Sequence, residues 1–101
     1  TERYHPFVAR DLRIACKHYD SISVTLGNRF RSNVQDRIRT VVERPESFSY
    51  IGGGFRGALV ERFPYIIVYT IDDGITWIYG VRHAASDRSD WFERPKPKGN
   101  G

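Results

Sequence analysis

Apolar residues follow two rhythms along this chain. Val8, Leu12, Ala15, Cys16 and Tyr19 recur at i, i+4, i+7, i+8 and i+11, one stripe of an amphipathic helix. Arg10, Asp11, Arg13, Lys17 and His18 occupy its other faces. Pro6 suits the first turn, where its missing N–H is not needed. Asp20-Ser21-Ile22-Ser23 interrupts the stripe and offers N-caps for a second helix. That helix carries Leu26, Phe30, Val34, Ile38 and Val41 on one side and Arg29, Arg31, Asp36, Arg37, Arg39 and Glu43 mostly outward. It stops near Arg44, before Pro45. Gly27 lowers helix propensity and lets two helices approach closely. With so short a connection, the pair reads as an antiparallel helical hairpin.

The second rhythm has period two. Tyr65, Ile67, Tyr69 and Ile71 alternate with Ile66, Val68 and Thr70, and Ile75, Trp77, Tyr79 and Val81 repeat the pattern. Asp72-Asp73-Gly74 between them is hairpin chemistry, read as a three-residue loop. Ala58 to Arg62 forms an earlier strand, and Phe63-Pro64 makes the bend, where proline need not donate to the ladder. Arg3-Tyr4-His5 ends a short first strand. Glu46 to Gly54 reads as a loop. Ser86 or Asp87 caps a short helix through Trp91-Phe92, which Pro95 ends. The expected fold is α+β: a short N-terminal strand, a helical hairpin on a three- to four-stranded antiparallel sheet, and a short C-terminal helix. The organisation is one domain over residues 1–94 and a loose Pro/Gly-rich tail over 95–101.

Composition narrows the function classes. Hydrophobic residues make up 40% and aromatics 14% of the 101 residues, enough for a packed core rather than a disordered chain. No apolar run approaches the roughly 20 residues that span a bilayer, and no signal-peptide pattern opens the sequence. The single Cys16 has no partner for an internal disulfide and lies on an apolar stripe, which reads as an inert thiol in a cytoplasmic protein. His5, His18 and His83 are too scattered for a metal site, and no cofactor is expected. Gly52-Gly53-Gly54 lacks the preceding strand, following helix and Lys-Ser/Thr pair of a phosphate loop, so it reads as a flexible lead into the strand at Arg56. Net charge is +4, and thirteen of the sixteen basic residues are arginine, whose planar fork suits phosphate and carboxylate. Nucleic acid and an acidic protein segment are both partners that this balance suits.

A series of short motifs then carries a resemblance across nearly the whole chain. His5-Pro6, Leu26-Gly27-x-Arg29-Phe30, Pro45-x-x-Phe48, Arg56-x-Ala58-Leu59, Phe63-Pro64-Tyr65, the Tyr69 strand, and His83 followed by Asp87 and Trp91 stand in this order. The series resembles the RelE/ParE toxins of bacterial type II toxin–antitoxin modules, and looks most like the ParE-related, plasmid-stabilisation branch. The resemblance implies a basic, cytoplasmic growth inhibitor, neutralised by a cognate antitoxin whose extended segment wraps it. It allows a homodimer or a toxin–antitoxin hetero-oligomer.

Two targets fit the resemblance. RelE-like members cut mRNA on the ribosome without a metal, using basic side chains and an acid/base group. They generally carry an arginine after the aromatic that opens the second meander strand; here that position is Ile66, after Tyr65. ParE-like members instead bind DNA gyrase. The resemblance makes Arg56, Arg62, Arg82 and His83 the candidates for target or nucleic-acid binding. Arg62, Arg82 and His83 would be the catalytic set of a nuclease, and Asp87 and Trp91 are read as structural. A non-toxic basic binding module is the third reading. With a three-residue hairpin loop, His83 shares a sheet face with Tyr79, Trp77, Tyr69 and Tyr65, and Arg82 with Ile66 and Ile78; a two-residue loop swaps that relation.

Overall fold

The computed structural model describes residues 1–86. Asp87, Trp91, the expected C-terminal helix and the 95–101 tail lie outside them. The order is β1 (Glu2–Tyr4), α1 (Phe7–Ile22), α2 (Val24–Glu43), β2 (Tyr50–Gly52), β3 (Phe55–Leu59), β4 (Tyr65–Asp72) and β5 (Ile75–His83). The strands form one sheet in the order β1-β5-β4-β3-β2, an α+β architecture. The sheet is mixed, because β1 pairs β5 in parallel, Glu2 opposite Thr76 and Tyr4 opposite Ile78.

The helical hairpin is tighter than expected. Helix α1 continues to Ile22, so Ser23 alone separates it from α2, and the Ser23 hydroxyl accepts the Leu26 N–H at 3.0 Å. Such a cap stabilises a helix by about 0.5–2 kcal/mol. Gly27 has its anticipated role: a Cβ there would stand on the Asp20 carboxylate, which bridges the helices by pairing with Arg31. Phe30, Val34 and Val41 of α2 and Val8 and Ala15 of α1 are buried, with Leu12, Cys16, Tyr19, Leu26 and Ile38 packed half-buried around them. On the sheet side the core takes Ala58, Ile67, Tyr69, Ile78 and Val81. Arg37 departs from the outward reading, lying half-buried with its guanidinium 5.6 Å from the Phe48 ring centroid.

Three features of the sheet correct the sequence reading. The Glu46–Gly54 loop contains β2, a three-residue edge strand antiparallel to β3. Gly52, Gly53 and Gly54 turn it back with φ of 132°, 57° and 80°, values that favour glycine. Strand β3 occupies Phe55–Leu59 rather than Ala58–Arg62, leaving Arg62 in the following turn at φ 70°. The β4–β5 connection has two residues: Asp72 faces Ile75, and Asp73 (φ 52°) and Gly74 (φ 78°) make a type I′ turn.

A bulge then shifts the register. Tyr69 faces Ile78 but Val68 faces Gly80, so Tyr79 is the extra residue of a β-bulge. Beyond it Ile66 faces Arg82 and Tyr65 faces His83. The shorter turn would have swapped the faces at the strand ends, and the bulge swaps them back. His83 therefore shares a face with Tyr65 and Tyr69, while Trp77, opposite Thr70, lies on the other face, where the Tyr79 ring stands 4.9 Å from Phe55.

Candidate functional site

The candidate residues converge where β4 begins and β5 ends. Val60 donates its N–H to the Tyr65 carbonyl at 2.8 Å, and Ala84 donates to the Pro64 carbonyl at 2.8 Å. These bonds bring the turn carrying Arg62 beside the end of β5. Tyr65 and His83 face each other with ring centroids 5.1 Å apart, edge to face. His83 is exposed, and its Nδ1 accepts the Ala85 N–H at 3.0 Å, so the neutral ring carries its proton on Nε2. Its carbonyl accepts both the N–H of Ser86 at 3.0 Å and the Ser86 hydroxyl at 2.7 Å.

Asp11, which the sequence reading placed on an outer face, is the residue it missed. Its carboxylate accepts the Val81 N–H at 3.0 Å and lies 3.9 Å from the Arg82 guanidinium. The Asp11 side chain is 8% exposed and that of Arg82 20%. The signal was present: Asp11 sits between Val8 and Ala15 at i+3 and i+4 spacing, a carboxylate inside an apolar stripe. A buried charge in such a place requires a partner.

Together these groups border a cleft of about 200 Å³ between α1 and the sheet end, lined among others by Asp11, Ile14, Tyr65, Arg82, His83 and Ser86. Burial, helped by Tyr19 and Cys16 nearby, pushes the Tyr65 phenol above its usual value, so it is neutral at physiological pH. Burial likewise raises the Cys16 thiol, which the nearby Arg31 opposes and Asp20 reinforces. The cleft therefore presents a histidine ring, a neutral phenol and an arginine 3.9 Å from a carboxylate. Among the described residues no group of three or more His, Cys, Asp or Glu is placed to hold a metal ion.

Arg56 stands apart. It faces Tyr69, four residues along β4 from Tyr65, about 13 Å at the rise of a strand. Its Nη1 donates to the Phe48 carbonyl at 2.7 Å and the Glu46 carbonyl at 3.3 Å, and its Nη2 to the Tyr50 hydroxyl at 3.0 Å. Its guanidinium also lies 4.1 Å from the Tyr50 ring centroid. The Tyr69 hydroxyl donates to the Pro45 carbonyl nearby, so this end of the sheet ties down the α2–β2 connection. Arg62 is exposed in its turn. The structure thus gathers Arg62, Arg82 and His83 at one end of the sheet and places Arg56 toward the other.

The sequence profile of the ParE toxins of type II toxin–antitoxin systems, parDE, matches residues 3–88. The chain belongs to that family. Among the described residues of this ParE-family toxin, the match spans both helices and every strand save the first residue of β1. A solved structure titled "Chromosomal ParDE TA system from P. aeruginosa" shares the fold, with a TM-score of 0.61 at 17% identity, covering 82% of this chain and 94% of that one. No curated protein matches the sequence significantly. Among the described residues no helix is long and apolar enough to cross a membrane.

Proposed function

We propose that this toxin arrests growth in the cytoplasm by binding DNA gyrase, and that a cognate antitoxin neutralises it. The observation that carries the choice of binding over cutting is the Asp11–Arg82 pair. A metal-independent ribonuclease needs cations held ready for the charge that develops on the scissile phosphate. Here Arg82 is half-buried against a carboxylate, and the residue facing it across the sheet is Ile66, which has no charge to offer. A protein-binding surface has no such requirement: a neutral tyrosine, an exposed histidine and the exposed Ile14 suit an interface with a mixed core and a polar rim.

The antitoxin reading rests on the helical hairpin. A groove of about 550 Å³ has Leu12 and Cys16 at its floor and Arg13, Lys17 and the Arg31–Asp20 pair at its rim. An amphipathic acidic segment matches that floor and rim. The ribosome-dependent mRNA endonuclease, acting through Arg62, Arg82 and His83, is the second reading, favoured by the exposed His83 ring beside Tyr65. Purified toxin added to a gyrase supercoiling reaction tests the first. Dose-dependent loss of supercoiling, reversed by the partner encoded beside the toxin, is the expected result; full activity at saturating toxin would refute it.

A further inference from the structure

Helix α1 packs Val8 and Ala15 into one core with Ile78 and Val81 of β5, and Asp11 of the same helix reaches the strand's end. Strand β1 covers the outer edge of β5 only as far as Ile78, where Tyr4 pairs and the His5 N–H reaches the Ile78 carbonyl at 2.7 Å. Past that point β5 leaves the shelter of β1, and the N–H of Val81 points out of the sheet edge. A buried amide in that position requires an acceptor. Asp11 supplies it at 3.0 Å and faces Arg82 with its other oxygen at 3.9 Å.

We infer that Asp11 is the positioning residue of the target-binding surface: it fixes the end of β5 through Val81 and draws Arg82, whose strand position alternates away from His83 and Tyr65, to the cleft that those two line. This rests on the reading of that sheet end as the surface that meets the target. The carboxylate has two separable duties. One needs only an oxygen acceptor, for Val81; the other needs negative charge, for Arg82. Asp11→Asn keeps the first and removes the second, while Asp11→Ala removes both.

The test uses the full chain as wild type, Asp11→Asn, Arg82→Ala and the double variant, with Asp11→Ala as a further arm. All are assayed for inhibition of supercoiling by purified gyrase and for amide exchange at Val81. The Val81 amide should exchange within about threefold of wild type in Asp11→Asn and faster by on the order of tenfold or more in Asp11→Ala. The toxin concentration for half-inhibition should rise on the order of tenfold in Asp11→Asn. It should not rise further when Asp11→Asn is added to Arg82→Ala, because Asp11 acts through Arg82. Multiplying effects, unchanged or improved inhibition by folded Asp11→Asn, or unchanged Val81 exchange in Asp11→Ala would each overturn the inference. A purely structural Asp11 would lower the melting temperature without that non-additivity. If wild type leaves supercoiling untouched, the gyrase reading fails instead, and the same four-protein cycle, read as survival on induction, decides the positioning claim.

Discussion

Replacing Phe30 with alanine should come close to unfolding this toxin. The ring is 0% exposed and stands at the junction of both helices with the sheet. Its centroid lies 4.9 Å from that of Tyr19, 5.1 Å from Phe63 and 5.2 Å from Tyr65. Truncating a buried phenylalanine costs about 3–5 kcal/mol from lost transfer energy and the cavity left behind. Three aromatic neighbours, each adding about 0.5–1.5 kcal/mol beyond area, place this site toward the top of that range. The walls come from three separate elements, so the cavity cannot close by one side chain turning. A loss of about 4 kcal/mol lowers the melting temperature of a domain this size by more than about 15 °C. It also consumes much of the roughly 5–15 kcal/mol that such domains have. Urea melts of wild type, Phe30→Leu and Phe30→Ala give the measurement. The leucine variant, which keeps most of the volume but loses the ring contacts, should fall between the two, at a loss of about 1–3 kcal/mol. A loss below about 1 kcal/mol in Phe30→Ala would show that the ring is not where the helices meet the sheet.

Smaller perturbations probe the local devices. Ser23→Ala removes the acceptor for the Leu26 N–H and should cost about 1 kcal/mol in the same melts. Gly74→Ala meets open space but must adopt φ 78°, so it should destabilise by about 1 kcal/mol or more, a strain effect visible without any steric clash. The hydrogen bond from Arg31, aided by its charge, holds the Asp20 carboxyl below its ordinary value of 3.8. A lowered carboxyl stabilises the fold at pH values above the unfolded-state range and loses that contribution as pH falls through the folded value. The gap in melting temperature between wild type and Arg31→Gln should therefore be present near neutrality and close below pH 3.8; a gap independent of pH would contradict the pairing.

What the sequence disclosed follows the length and regularity of each element. Helix α2 keeps its stripe from Leu26 to Val41 without a break, and β4 and β5 alternate over eight and nine residues, so their type was legible. Strand β2 has three residues and borders a run of glycines, too short to show a period. Tyr79 illustrates a different limit. A single extra residue leaves alternation within β5 looking intact yet moves Trp77 to the face opposite His83. Arg56 and Arg82 were indistinguishable as letters; only the folded chain puts one against the Glu46 and Phe48 carbonyls and the other against Asp11. Asp11 was readable in principle, since a carboxylate flanked by Val8 and Ala15 on one helix face demands a partner, but its partner lies seventy residues away in the chain.

The central claim is that this surface binds its target and does not cut RNA. Primer extension across ribosome-bound transcripts, from cells induced for wild type and for Arg82→Ala, tests it most directly. The account predicts transcripts without discrete new ends at any level of induction in either strain, even as growth stops in the wild type. Codon-specific cuts in the wild type that vanish in Arg82→Ala would contradict it and establish Arg82 as a catalytic residue.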